Sequence, residues 1–211
     1  MRTYIAPLGF DSRRVVRPVL SEGLDADDEI VLLQPSNASS RGEDALDDVE
    51  DVLTQVAPDL TLHTEQLPYN DFVETILYCT DLIQAADGET VVILGGGARE
   101  ILFPLVIATF SNERYIDKIL QMGDIDSSVR QLPKLNLRGN PTNAETQLLR
   151  NLTELNTPLS ISDIATELDK SKSTVARYVS SLEKEGFVET QSKGRLKTVR
   201  VTDSGRILLR W

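Results

Sequence analysis

The amino-acid sequence predicts two domains: a doubly wound, mainly parallel α/β sheet, and after it a small domain of helices closed by a β-hairpin. Strand-like and helix-like patterns alternate four times through the first part of the chain, which is typical of βαβ units. Some strand runs are apolar without interruption, as at 90–94, and such runs indicate parallel strands buried on both faces. We expect residues 1–136 to form the first domain, 137–142 a linker and 143–211 the second domain.

The first domain is a series of short strands separated by amphipathic helices. Apolar residues recur at helical spacing between the strand runs, and Pro18 should bend or shorten the first helix. The acidic outer face of the second helix, which carries Asp44, Asp47 and Asp48, is interpreted as solvated charge rather than a metal site. The predicted strands lie at 4–8, 30–33, 60–67, 90–94, 115–122 and 129–135.

The second domain gives the strongest local signal, over residues 158–202. Ser160 and Asp163 have the spacing of a capping box at the start of a short helix. Ser171 can cap a second helix, whose apolar stripe ends before Gly186. Two β-rich runs with a basic tip between them then form a hairpin, and a last helix follows. Helix, turn, helix and basic hairpin in this order predict a winged helix-turn-helix domain.

Hydroxyl and basic side chains crowd the first two turns of this second helix. Hydroxyls and a helix N-terminus suit DNA phosphates, and Arg177 is long enough to reach a guanine edge in the major groove. The alternative is a solvated basic helix beside an ordinary hairpin. We favour binding to double-stranded DNA because the whole series of signals is present. The predicted DNA-contacting residues are Lys172, Ser173, Thr174, Arg177, Tyr178, Lys193, Arg195 and Lys197.

The charge is divided unevenly along the chain. Residues 1–142 carry 11 Lys and Arg against 24 Asp and Glu, and residues 143–211 carry 11 against 9. The net charge of −11 therefore belongs to the first domain, and the DNA-binding domain is mildly basic. Acidic surfaces of this kind are common where a salty cytoplasm screens long-range attraction, so we hypothesise a halophilic archaeal source.

The cysteine and histidine content excludes several classes of protein. A single cysteine, Cys79, leaves no intrachain disulfide and suits a reducing cytoplasm, where we expect the protein to act. With one further ligand of the usual kind, His63, the chain has too few residues for a typical zinc site. No apolar run is long enough for a membrane helix. We predict no metal, no cofactor and no catalytic residue.

Two loops at the carboxyl ends of predicted strands form a candidate ligand site. Open α/β sheets bind ligands at these ends, where the strand order reverses. The glycines at 95–97 would let the backbone approach a ligand, and the next helix would offer free N–H groups and Arg99 to a phosphate. The alternative is that these glycines serve only a tight turn. Neither a dinucleotide fingerprint after the first strand nor a P-loop is present.

These residues carry a resemblance to a known family. With Leu8-Gly9-Phe10-Asp11 after the first strand, Leu94-Gly95-Gly96-Gly97-Ala98-Arg99-Glu100 after the fourth, and a winged helix, the chain resembles the CRISPR-associated transcription regulators with an N-terminal CARF (CRISPR-associated Rossmann fold) domain. The resemblance implies a Rossmann-like sensor in a homodimer, a cyclic oligoadenylate effector, chiefly cyclic tetra-adenylate, and control of CRISPR promoters. The expected effector-binding residues are Gly9, Phe10, Asp11, Ser12, Ser36, Gly95, Gly96, Gly97, Ala98, Arg99 and Glu100.

Two other functions stay open at this stage. Some CARF domains cleave their ligand slowly, and a ring nuclease here would have Ser12, Arg13 and Arg99 as its available side chains, with no histidine or lysine near either loop. The other alternative is a winged-helix regulator unrelated to CRISPR that responds to a metabolite such as a sugar phosphate or nucleotide.

Overall fold

The chain forms two compact units, Met1–Lys134 and Leu135–Trp211. The computed structural model describes residues 1–37, 39–155, 157–193 and 196–210, with Lys193 and Leu196 described by their backbone alone. The division falls two residues before the predicted end of the first domain. The predicted linker, 137–142, belongs to the second unit, where Phe187 fills the space beside Gly139 and a Cβ at Gly139 would lie 1.9 Å from the ring.

The first unit is built on a six-stranded sheet in the order β3-β2-β1-β4-β5-β6. Neighbouring strands are parallel except for β5 and β6. The connection between those two is too short for a crossover, so β6 turns back antiparallel. The strands are β1 (Arg2–Pro7), β2 (Glu29–Pro35), β3 (Thr61–Leu67), β4 (Glu89–Ile93), β5 (Lys118–Met122) and β6 (Val129–Leu132). The predicted doubly wound, mainly parallel fold is confirmed.

Four helices cover the two faces of this sheet: α1 (Arg13–Glu22), α2 (Ser40–Val56), α3 (Phe72–Ala85) and α4 (Arg99–Ser111). The helices α1 and α2 pack against one face, on a core that includes Ile30 and Leu32. The helices α3 and α4 pack against the other face, on Val31 and Leu33. Successive residues of β2 thus point to opposite faces, as the pleat of a strand requires.

The predicted strand bounds in the first unit differ from the structure by at most three residues, and β6 ends at Leu132 rather than at residue 135. Residues 113–115 form a turn of 3₁₀-helix, so β5 starts at Lys118 rather than at Tyr115. The helix α1 passes through Pro18 and runs on to Glu22. Proline removes a single backbone donor there. The residues around it, Val16 and Val19, are buried, and this packing against the sheet holds the helix together.

The second unit is a winged helix-turn-helix domain. Its elements are α5 (Asn143–Leu155), β7 (Leu159–Ser160), α6 (Ile161–Glu167), α7 (Lys172–Lys184), β8 (Val188–Lys193), β9 (Leu196–Val201) and α8 (Asp203–Leu208). The predicted capping box of Ser160 and Asp163 is present, and Ser171 caps α7 by accepting from the Thr174 amide. No helix in the described part of the chain is both long and apolar enough to cross a membrane.

Candidate functional site

A cavity of about 400 Å³ opens at the carboxyl ends of β1, β2 and β4. The strands β1 and β4 are neighbours in the sheet, and the helices that follow them lie on opposite faces. This is the switch point at which open α/β sheets bind ligands. The cavity is lined by residues from three parts of the chain: those after β1 and at the start of α1, those around the end of β2 and the start of α2, and those after β4.

The glycines of the loop after β4 are needed for contact with the loop after β1. Gly97 has φ +73°, and a Cβ there would lie 2.6 Å from the Pro7 Cβ. A Cβ on Gly9 would in turn lie 2.9 Å from the Gly97 nitrogen. Larger residues would force the two loops apart. The main role of these glycines is therefore to let the two loops touch in the cavity wall, and the space they leave for a ligand is a lesser one.

Six of the predicted effector-binding residues line the cavity: Gly9, Phe10, Asp11, Gly96, Gly97 and Ala98. The other five do not. Arg99 and Glu100 are exposed in the first turn of α4, and Ser36 is exposed in the loop after β2. The Ser12 hydroxyl lies 3.4 Å from Asp48 Oδ2, and Gly95 packs beside Met122. The phosphate clamp predicted for Arg99 therefore lies outside the cavity wall.

Sequence reasoning missed Arg14, and around the end of β2 it named only Ser36, which does not line the cavity. Arg14 lies in the first turn of α1, and its guanidinium contacts Asp124 and lies 3.7 Å from Asp11 Oδ2. The end of β2, the loop after it and the start of α2 contribute Gln34, Pro35, Asn37, Ser39 and Gly42. The amide of Gln34 at the end of an apolar strand was the signal available in the sequence.

Opposite charges are balanced around the cavity. The hydrogen bond from the Arg13 side chain lowers the pKa of Asp11, although burial opposes the change. Among the described residues of the wall, Asp11 and Arg14 are the ionisable ones. Because Arg14 is paired with carboxylates, the wall carries little net charge, and polar groups must provide much of the ligand recognition.

An acidic cluster lies away from the cavity, at Asp25, Asp27 and Asp28, with carboxylate oxygens within 4.8 Å of one another. Arg2 lies among them, 2.8 Å from both Asp25 and Asp28. Burial alone would raise the pKa of Asp28, but hydrogen bonds from the Asp25 amide and from Arg2 outweigh it and lower the pKa. The protein's own guanidinium thus neutralises this cluster.

The helix α7 presents a polar face to solvent. Val175, Val179 and Leu182 are buried, and the exposed stripe of α7 consists of Ser173, Arg177, Ser180 and Lys184. Ser180 and Lys184 were not predicted, although both continue the same helical spacing. Tyr178 was predicted on this face, but its ring is half-buried against the core, and its centroid lies 5.6 Å from the Arg177 guanidinium.

The start of α7 and the base of the hairpin complete this surface. The Ser171 hydroxyl lies 2.9 Å from Ser173 Oγ and 2.8 Å from Thr174 Oγ1, beside the exposed Lys172. Lys197 is exposed, and its ammonium lies 3.7 Å from Glu183 Oε2. Arg195 and the side chain of Lys193 lie outside the described residues. Five predicted DNA contacts therefore share one surface: Lys172, Ser173, Thr174, Arg177 and Lys197.

Comparison with known proteins agrees with this division into two units. The model of the Csa3 CRISPR-associated Rossmann-like domain matches residues 2–121. The chain belongs to this family. The model of the IclR helix-turn-helix domain matches residues 146–192. Together the two matches make this Csa3 family member a CRISPR-associated DNA-binding regulator.

Several solved structures match about a third of the chain. One is a mutant of MepR from S. aureus bound to an oligodeoxyribonucleotide, with 26% identity over 33% of this chain and 53% of that chain (TM-score 0.32). Others are RV1404 from Mycobacterium tuberculosis, with 23% identity over 34% and 50% (0.32), and PcaV from Streptomyces coelicolor, with 25% over 33% and 50% (0.31). The matched region spans about half the length of these structures. No curated protein matched the chain.

Proposed function

We propose that this protein is a ligand-gated transcription regulator of CRISPR-Cas genes that senses a cyclic oligoadenylate, chiefly cyclic tetra-adenylate, as a homodimer. The observation that carries the proposal is the cavity at the switch point of the sheet, in the same chain as an exposed DNA-binding surface. Its glycine loops and the start of α4 offer backbone N–H groups, which suit phosphate oxygens.

The size of the cavity supports a ligand shared by two chains. At about 400 Å³ it is near the lower end of small-molecule pockets, which run from about 300 to 1,000 Å³. That volume suits one nucleotide unit rather than a ring of four. Two copies of the cavity related by a two-fold axis would match a two-fold symmetric ring, since a symmetric dimer repeats every contact.

The outer face of α3 and α4 supports self-association. Val73 and Leu77 on α3 are 61% and 50% exposed, and Phe103 and Ile107 on α4 are 55% and 41% exposed. After Glu100, α4 carries no ionisable residue, in a part of the chain where acidic residues outnumber basic ones by two to one. Exposed apolar patches of this kind mark interfaces. A second copy is the partner favoured here, because the α4 part of this face carries no charge after Glu100 on an otherwise acidic unit.

The proposed mechanism couples the two sites through the dimer. Effector binding would change the spacing of the two α7 helices and their fit to half-sites about 34 Å apart, one turn of DNA. Arg177 would read a base edge, and the hydroxyl cluster at Ser171 and Ser173 would contact phosphate. The ring is expected to stay intact, because neither histidine nor lysine is among the described residues that line the cavity.

Isothermal titration with cyclic tetra-adenylate in high KCl tests the proposal. The expected result is one ring per two chains, with affinity reduced in Arg14→Ala and unchanged in Arg17→Ala, an exposed position of the same helix. Arg99→Ala tests whether the phosphate clamp predicted from the sequence contributes to binding. It should reduce the affinity less than Arg14→Ala does, because Arg99 does not line the cavity. Absence of heat with the unaltered protein contradicts the effector assignment, and linear products after incubation would indicate a ring nuclease instead.

A further inference from the structure

Gln34 occupies a position where the strand pattern calls for an apolar residue. Ile30 and Leu32 point from β2 into the core beneath α1 and α2, and Gln34 continues that series with alternate spacing. It is only 5% exposed, yet it is polar and it lines the cavity. Burial of an amide is unfavourable unless its groups are hydrogen-bonded, so a packing role alone would favour leucine here.

One hydrogen bond orients the Gln34 amide. Its Nε2 donates to the Gly42 carbonyl oxygen on α2, at 3.2 Å, and within the described residues this is the bond that its side chain makes. Because a nitrogen must face that carbonyl, the bond also fixes which end of the amide is oxygen. An amide has two N–H donors and a carbonyl that accepts two bonds. The second N–H and the carbonyl oxygen of the Gln34 amide therefore lie side by side as a donor and an acceptor for a ligand in the cavity.

Phe10 adds a flat apolar surface at the same cavity. It is 61% exposed, and the Arg41 guanidinium lies 4.5 Å from the ring centroid. An exposed ring braced by a guanidinium is a platform on which a nucleic-acid base can stack. The cavity thus combines a stacking surface with a fixed amide edge.

We propose that Gln34 recognises the adenine base of the effector and gives the cavity its preference for adenine over other purines. The amide oxygen would accept from the exocyclic N6 amino group while the second N–H donates to N7, the bidentate pairing that glutamine makes with adenine. Guanine and hypoxanthine present an oxygen in place of that amino group, which would face the amide oxygen. The inference rests on the proposed function, since it names the residue that selects the effector.

The test compares rings that differ at the base edge, using isothermal titration with cyclic tetra-adenylate, cyclic tetra-inosinate and the 7-deaza form of the adenylate ring. The unaltered protein should prefer the adenylate ring over the inosinate ring by about tenfold to a hundredfold. Removing N7 from the ligand should also weaken binding about tenfold. Gln34→Met keeps the side-chain length but removes both polar groups, so it should abolish both preferences.

Gln66→Met is the matched control, because Gln66 pairs with Gln34 across β2 and β3 but is exposed and lies outside the cavity wall. It should leave every affinity unchanged. If Gln34→Met retains the preference for adenylate, or if the unaltered protein binds the 7-deaza ring equally well, the inference is wrong while the proposed function stands. The second comparison needs no variant, so a folding defect cannot mask the outcome. If the unaltered protein binds none of the three rings, both are overturned.

Discussion

The two units of this protein assemble their candidate sites in different ways. The cavity of the first unit is formed by three stretches that meet only because the sheet places β1, β2 and β4 side by side. The DNA-binding surface of the second unit lies largely on one helix, α7, whose exposed stripe follows from its own spacing. A substitution in the first site therefore acts through the fold of the whole sheet, whereas one in the second acts locally.

The largest effect is expected where the two loops of the cavity touch. In Gly97→Val the new side chain would collide with Pro7 and would hold a left-handed backbone conformation. Overpacking and that conformation together should cost the first unit about 3 kcal/mol of unfolding free energy. Denaturant unfolding combined with hydrogen exchange of each unit measures this. Gly95→Ala is the control, because its Cβ would make an ordinary contact at 3.5 Å, and equal losses in the two variants would contradict the account.

The next largest effect is expected at the second site, where a substitution on α7 should act locally. Arg177→Ala should lower the affinity for specific DNA by about 1–3 kcal/mol and relax the base preference at one position. Anisotropy titrations with a selected site and with random DNA measure both quantities. Arg114→Ala, an exposed arginine of the first unit, should have no effect. Equal losses of Arg177→Ala on the two DNAs would show that Arg177 contacts phosphate only.

A smaller effect is expected from the cap of α7. Ser171→Ala removes the acceptor for the Thr174 amide, which should lower the stability of the second unit by about 1 kcal/mol. Ser171→Asp should restore it, because aspartate caps equally well. Thermal unfolding of the unaltered protein and the two variants measures these changes in stability. Failure of Ser171→Asp to recover stability would mean that the hydroxyl cluster, rather than the cap, stabilises the second unit.

The smallest effect is a pH dependence that both units share. Burial would raise the pKa of Glu145, but hydrogen bonds from Ser181 and Thr142 and the charge of Arg177 outweigh it and lower the pKa, as at Asp28. Each group therefore stabilises the fold above its ordinary pKa of about 4, and this contribution is lost as pH falls through the lowered value. Unfolding curves from near-neutral to acidic pH test this for Asp28→Asn and Glu145→Gln. The unfolding free energy of each variant should depend less on pH than that of the unaltered protein. An unchanged dependence on pH would contradict the stabilising role of that carboxylate.

The same contrast explains how much of the molecule could be predicted from its sequence. The capping box at Ser160 and the stripe of Val175 and Val179 are local patterns, so the second unit followed from spacing alone. The glycine loops were found because β1 and β4 end in recognisable turns. The polar Gln34 at the end of an apolar strand was a signal, but its role and that of Arg14 depend on which strands are neighbours, and no pattern along the chain encodes that order.

The central claim is that the two sites are coupled. The most direct test measures the affinity for a selected DNA site with and without saturating cyclic tetra-adenylate, and then the affinity for the ring with and without that DNA. Coupling requires the same factor in both directions, and a factor of about 5 to 150 is usual for allosteric proteins. Equal factors above that lower bound would support a ligand-gated regulator. Tight binding of both partners with no mutual effect would contradict it.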